Sequence, residues 1–292
     1  MAILLTGGSG FIGKNLIELM GEKHSLIAPA SGELDLLDEE AVKRFLSENQ
    51  IEIIIHSATT PGHRNAPIVA DLVARNLRMF FNLARNKHLF SKMIYLGSGA
   101  VYDARHYLPK MGEEYFDTHV PADAHGFSKY VLAKYLEKEP SIIELRVFGI
   151  FGKYEDYTIR FISNAICKAL LGLPITLKQK RRFDYLYVND LVEVLEYFIA
   201  NKPGNNIYNV TPDQPIDLLT IAEKVRQLSG LQQQIIVDQP GEGMEYSGDN
   251  RRLRAEIPSL QFTPIDTAVK ELFDWYSQNK QALNRKLLLV DK

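Results

Sequence analysis

Residues 2–13 restrict this chain more than any other stretch. Ala2-Ile3-Leu4-Leu5 is a short, uninterrupted apolar run, which reads as a buried parallel strand. It leads straight into Thr6-Gly7-Gly8-Ser9-Gly10-Phe11-Ile12-Gly13, where Gly7, Gly10 and Gly13 recur at intervals of three. Apolar residues at helical spacing follow from Phe11 to Met20. Strand, glycine turn and helix in that order make a phosphate cradle. Gly7 permits the tight turn, Gly10 lets a pyrophosphate approach the backbone, and Gly13 lets helix and strand pack closely. The first N–H groups of the helix, at Phe11 and Ile12, are free to bind an anion. A glycine triplet alone is a weak signal. Set between a strand and a helix, it predicts a redox dinucleotide.

Further along, β-branched and apolar runs predict strands at Ser25–Ala28, Ile51–Ile55, Lys92–Leu96 and Ser141–Val147. Helical spacing predicts helices at Asp38–Leu46, Val69–Arg85 (with Asn76 inside) and Gly126–Glu137, and a long loop holds Pro109 and Pro121. This alternation implies an α/β fold, a Rossmann-type doubly wound parallel sheet. The pattern changes after Gly152. Helices are expected at Tyr157–Leu171, Leu191–Ala200, Leu218–Leu228 and Ile265–Gln278, with strands at Phe183–Val188 and Asn206–Val210. The expected division is a dinucleotide-binding domain over 1–152 and a smaller mixed α/β C-terminal substrate lobe over 153–292, with strand exchange between them allowed.

Composition narrows the function classes. The 46% hydrophobic and 24% charged residues exclude disorder as the main state. Lys plus Arg is 34 and Asp plus Glu is 36, a formal charge of −2, which speaks against nucleic acid as the partner. No apolar stretch approaches the roughly 18 to 20 residues that span a bilayer, so no membrane partner is expected. Ala2–Leu5 is too short for the apolar part of a signal peptide, so a cytoplasmic enzyme is expected. The single cysteine, Cys167, excludes an intrachain disulfide and a Cys-rich zinc site and reads as a packed core residue. The seven histidines are scattered, and His119 and His125 lack a carboxylate at metal-ligand spacing, so no metal is expected.

The choice between NAD and NADP is open. An acidic residue at the end of the second strand would bind the adenosine ribose and repel a 2′-phosphate. That strand ends Ile27-Ala28-Pro29-Ala30-Ser31, with Glu33 two residues beyond. Lys14 could meet a 2′-phosphate. The balance leans slightly to NADP.

The glycine octapeptide is followed in order by Asp35-Leu36-Leu37-Asp38, His56-Ser57-Ala58, Tyr95-Leu96-Gly97-Ser98-Gly99-Ala100-Val101-Tyr102 and Gly126-Phe127-Ser128-Lys129. Tyr187-Val188-Asn189-Asp190-Leu191 and Ile207-Tyr208-Asn209-Val210 come later. Together these motifs resemble the extended short-chain dehydrogenase/reductase family of nucleotide-sugar epimerases, dehydratases and ketoreductases, over most of the chain. The resemblance implies NAD or NADP as cofactor and a nucleotide-diphosphate sugar as substrate. It implies that Asp35 and Leu36 flank the adenine and that Ser57 and Ala58 run along the cofactor. Ser98 would hydrogen-bond the reacting sugar oxygen, and Lys129 would hold the nicotinamide ribose. Each has a plainer reading: a turn residue for Asp35, a strand end for Ser98, a solvated helix charge for Lys129. Within the basic runs 178–182 and 249–254, Arg182 and Arg252 are the candidates for gripping the substrate diphosphate in forked hydrogen bonds, solvated surface charge being the alternative. Relatives dimerise through helices equivalent to Val69–Arg85 and Gly126–Glu137, so a homodimer is expected.

One departure matters most. The family places a tyrosine four residues before the lysine, and here that position is His125. The tyrosine exchanges a proton with the sugar oxygen, its phenol made more acidic than the usual pKa of about 10 by nearby positive charge. Three readings stand. His125 is a replacement acid/base, although Lys129 and an oxidised nicotinamide disfavour its cation. Or the chain is catalytically impaired and only binds cofactor. Or another tyrosine takes over. Tyr130 and Lys134 repeat the spacing, but a five-residue shift turns them about 140° around the helix. Gly99 and Ala100 replace the Asp-Glu of family dehydratases, which argues against 4,6-dehydration. The layout around residues 31–102 looks nearest to GDP-fucose synthase, whose cysteine stands at the position of Ala100, and Arg146-Val147-Phe148-Gly149-Ile150-Phe151-Gly152 lacks the family's asparagine. The expected activity is therefore NAD(P)-dependent hydride transfer at a sugar carbon, as an epimerase or a 4-ketoreductase.

Overall fold

The computed structural model describes residues 1–62, 69–230, 232 and 234–289. In chain order the elements are β1 (Ala2–Thr6), α1 (Phe11–Met20), β2 (Ser25–Ile27), α2 (Glu39–Glu48), β3 (Ile51–His56), α3 (Leu72–Ala84), β4 (Lys92–Ser98), α4 (Ala124–Leu136) and β5 (Ile142–Val147). Then come β6 (Gly149–Phe151), α5 (Phe161–Leu170), β7 (Thr176–Lys180), β8 (Arg182–Phe183), β9 (Tyr185–Tyr187), α6 (Val188–Ala200), β10 (Ile207–Val210), β11 (Ile216–Asp217), α7 (Leu218–Ser229), β12 (Ile236–Glu242), α8 (Arg251–Glu256) and α9 (Ile265–Gln278). The central sheet has six strands in the order β10-β5-β4-β3-β1-β2, every neighbouring pair parallel. The fold is a Rossmann-type doubly wound sheet. From β1 the chain moves to β2 on one side and then to β3 on the other. That reversal leaves a crevice beyond the carboxyl ends of β1 and β3, where ligands bind in such sheets.

Both faces of the sheet are covered along its inner strands β1, β3 and β4, which is why these are largely apolar without alternation. Ile3, Leu5, Ile53, Ile55, Ile94 and Leu96 pack against Leu16 and Met20 of α1 and Leu191, Leu195 and Phe198 of α6. On the other face Leu4, Ile54, Met93 and Tyr95 meet Val42 and Leu46 of α2, Phe80 and Leu83 of α3 and Leu132 of α4. Each fully buried Leu or Ile contributes about 1.5–3 kcal/mol. A separate core gathers α5, α7 and α9 around Ile166, Ile221, Val225, Leu272 and Tyr276. Cys167 lies inside this core, and burial pushes its thiol pKa up.

β10, from beyond residue 152, forms one edge of the central sheet beside β5. The strand expected at 183–188 is broken. β8 ends at Phe183, β9 begins at Tyr185, and Val188 already starts α6. The break is Asp184, whose carboxylate turns inward to accept from Gly248 N–H (2.7 Å) and from the Thr211 hydroxyl. The helix expected from Tyr157 starts at Phe161, because Asp156 holds residues 156–160 in a turn by accepting from Thr158 N–H at 2.9 Å. Among the described residues no helix is long and apolar enough to cross a membrane.

Candidate active site

The β1–α1 loop is built as a cradle. Gly7 adopts φ +77°, and a Cβ there would stand 2.8 Å from Ala58 N. Gly10 N–H closes the turn on the Gly7 carbonyl at 3.0 Å. A Cβ on Gly13 would overlap that same carbonyl oxygen, so only glycine lets α1 start this close to β1. Gly10 caps α1 without a side chain, leaving the first N–H groups, at Phe11 and Ile12, to a ligand. These glycines line a cleft of about 580 Å³ together with Leu34–Leu37, Ser57–Pro61 and Arg75. A diphosphate fits this cradle, since space that a side chain would fill and uncapped amides coincide.

The cleft also brings in Asp35, Leu36, Ser57 and Ala58, whereas Ser98, His125, Lys129, Arg182 and Arg252 lie outside its lining. Asp35 and Leu36 are in its wall, and Asp35 serves the turn as well, its Oδ1 accepting from Leu37 N–H at 2.9 Å. Ser57 Oγ donates to the Thr6 carbonyl at 2.8 Å, tying the end of β3 to β1. Asn76 holds the following loop by accepting from Thr60 N–H at 2.7 Å. In the turn after β2, Glu33 accepts from Ala30 N–H at 2.7 Å, while Lys14 Nζ, on α1, lies over the Tyr154 ring at 5.7 Å.

Ser98 ends β4, where its Oγ accepts from Ala100 N–H at 3.1 Å. Lys129, on α4, is buried. Its Nζ donates to Tyr95 Oη (2.9 Å) and to the Leu96 carbonyl (3.3 Å), both on β4. Burial brings its pKa down to about 8, against the opposing pull of Glu144. His56 pairs with the Thr6 hydroxyl at 2.7 Å, and burial with the Lys129 charge lowers its pKa to about 3. His125 is half-buried in the first turn of α4, where its Cβ would be 3.0 Å from a Cβ on Gly62. Asp123 caps that turn by accepting from Gly126 N–H at 2.8 Å.

The two arginine candidates are tied to the protein. Arg182 Nε is 3.4 Å from Glu245, and Arg252 Nε is 3.7 Å from Glu113. Its neighbour Arg181 places its guanidinium 4.6 Å from the centre of the Phe183 ring, inside an aromatic cluster with Tyr107, Tyr185 and Tyr246.

Sequence reasoning missed two features. A buried charged row lies beneath the site. Glu144 Oε2 accepts from Arg146 Nε at 3.0 Å, and Arg146 also donates to Tyr102 Oη at 3.2 Å and stacks over Phe116 at 4.4 Å. The signal was available, because charges at 144 and 146 break an otherwise apolar central strand. The other is Tyr246, whose hydroxyl occupies the space beside Gly99 and hydrogen-bonds Ser98. No local pattern marks it.

The sequence model of the NAD dependent epimerase/dehydratase family matches residues 3–211. GDP-L-colitose synthase of Yersinia pseudotuberculosis is 26% identical over 224 residues, 69% of this chain and 73% of that protein. UDP-glucose 4-epimerase of Bacillus subtilis is 24% identical over 336 residues, 96% of this chain and 98% of that protein. Among solved structures, a GDP-D-glycero-L-gluco-heptose synthase from Campylobacter jejuni, crystallised in the presence of NADPH, superposes with a TM-score of 0.82 at 19% identity, covering 94% of this chain and 98% of that one.

Proposed function

The chain belongs to the NAD-dependent epimerase/dehydratase family, and from that premise we propose that it moves a hydride between NAD or NADP and a carbon of a nucleotide-diphosphate sugar, as a 4-ketoreductase or 4-epimerase. The observation that carries this reading is the glycine cradle opening at the switch point of the sheet, with Ser98 at the carboxyl end of β4 and Lys129 donating to Tyr95 and Leu96 of the same strand. The free N–H groups at Phe11 and Ile12, with the close approach that Gly7, Gly10 and Gly13 allow, hold the paired phosphates, Asp35 and Leu36 the adenosine, and Ser57 and Ala58 the chain between. The nicotinamide, when bound, supplies or takes the hydride. Ser98 orients the reacting oxygen. Lys129, protonated below about pH 8, holds the nicotinamide ribose and adds positive charge. The charge balance at the adenosine end, with Glu33 near and Lys14 engaged by Tyr154, leaves both cofactors within the proposal.

Residues 153–292 form most of the substrate side. Arg182 and Arg252 grip the diphosphate by exchanging Glu245 and Glu113 for phosphate oxygens. The reading includes a homodimer through α3 and α4, whose mass in solution tests it, and a cytoplasmic location.

Reduction of a panel of 4-keto nucleotide sugars with NADH and NADPH, followed by loss of nicotinamide absorbance, tests the reading, together with 4-epimerisation of the corresponding alcohols. Turnover of one supports it. The rival, a cofactor-binding protein without turnover, rests on His125, and dinucleotide binding without any turnover would favour it.

A further inference from the structure

The imidazole at 125 leaves open which hydroxyl gives its proton to the sugar oxygen. Most tyrosines near the site are engaged elsewhere. Tyr95 accepts from Lys129, and Tyr102 bonds Gly112, Asn209 and Arg146. Tyr130 and Lys134, the shifted pair with the family's spacing, both turn to Asp117.

Tyr246 is placed differently. It lies 148 residues beyond Ser98 in sequence, yet its hydroxyl hydrogen-bonds Ser98 and fills the space that a Cβ on Gly99 would overlap. Its ring packs against Tyr107 (4.9 Å between centres), Phe148 (5.0 Å) and Phe183 (5.9 Å). Its backbone is fixed on both sides. Its N–H donates to the Arg182 carbonyl at 3.0 Å, and its carbonyl accepts from Asp184 N–H at 3.0 Å. The next residues are pinned too, Ser247 Oγ by Lys110 N–H (2.7 Å) and Gly248 N–H by the Asp184 carboxylate (2.7 Å). The charged groups facing the phenol are Arg181, which favours its anion, and Asp184, which disfavours it. Burial keeps it protonated at rest.

We propose that Tyr246, arriving from the C-terminal lobe, is the proton donor and acceptor for the oxygen that Ser98 orients. The proposal rests on the hydride-transfer reading above. In the reducing direction, the ketone carbon takes a hydride from the reduced nicotinamide while the Tyr246 O–H bond breaks and its proton passes to the ketone oxygen. The ketone becomes an alcohol, the cofactor is oxidised, and the phenolate regains a proton from water. In the reverse direction the phenolate accepts the alcohol proton.

The test compares wild type, Tyr246→Phe and His125→Gln in the reduction assay, with NAD(P)H affinity measured for each. The expected result is a fall in kcat of about 100-fold or more for Tyr246→Phe, with KM within about threefold and cofactor affinity unchanged, and a kcat within about tenfold of wild type for His125→Gln. Retention of kcat by Tyr246→Phe overturns the proposal alone. A wild type that binds NAD(P)H but reduces no 4-keto nucleotide sugar overturns both the proposal and the function it rests on. Should Tyr246→Phe lose cofactor affinity, 3-fluorotyrosine at position 246 decides. This more acidic phenol keeps the ring and the hydroxyl, so at pH 7, where Lys129 is protonated, cofactor affinity should stay within about threefold while kcat changes by about threefold or more, and an unchanged kcat overturns the proposal.

Discussion

Gly97 and Glu144 compete for one volume: a Cβ on Gly97 would stand 2.7 Å from Glu144 Oε1. Glycine in β4 is what lets a carboxylate lie buried on β5 beside Arg146, under the site.

Gly97→Ala is therefore expected to lower stability by about 1–3 kcal/mol through overpacking. The cost should largely vanish in a Glu144→Val/Arg146→Leu background, where no carboxylate meets the new methyl and the ion pair is replaced rather than broken. Urea unfolding of the four proteins checks this. Equal costs in both backgrounds would show that the two residues do not share the space.

Glu155 gives a pH prediction. Its carboxyl is buried, accepts from Ser163 Oγ at 2.7 Å, and has its pKa raised by burial to about 8. The folded state thus binds this proton more tightly than the unfolded chain, whose glutamates titrate near 4.3. The stabilisation is fully present below about pH 4.3 and is lost as pH rises towards 8. Relative to Glu155→Gln, the wild type should lose Tm steadily across that window. A Tm difference that is flat with pH would contradict the assignment.

His125→Tyr restores the tyrosine usual in the family. If Tyr246 already supplies the proton, kcat should change by less than about tenfold, measured by steady-state reduction. A gain of about 100-fold or more would mark His125 as a lesion and remove the need for Tyr246.

The glycine cradle proposed for the cofactor was legible because its geometry is local. Phosphate binding needs glycines at fixed offsets between a strand and a helix, so residues 6–13 display it within one turn of chain. The parallel sheet was legible for a similar reason, since strands buried on both faces are apolar throughout. The surroundings of Ser98 were not. Tyr246 stands in irregular chain and is held beside Ser98 by its backbone bonds to Arg182 and Asp184 and by those of Ser247 and Asp249 to Met111, which no periodicity encodes. Asp184 split an expected strand because a distant glycine N–H and a threonine draw its side chain inward. The Glu144–Arg146 row was visible as an anomaly, but without Gly97 opposite it had no explanation.

Lys129 should carry a signature of its own. With its pKa lowered to about 8 by burial, it loses its charge as pH rises through that value. NAD(P)H affinity should weaken between about pH 7 and 9 in the wild type and lose this dependence in Lys129→Met. A wild-type affinity constant over that range would contradict the role.

The most direct measurement is a fluorescence titration of the purified full chain with NADH and with NADPH, repeated on Gly13→Ala. The account predicts saturable binding of one or both, with a dissociation constant of about 1–100 μM, and a loss of at least about tenfold when the added methyl displaces the loop from the Gly7 carbonyl. A wild-type chain with no affinity for either dinucleotide, oxidised or reduced, would contradict it.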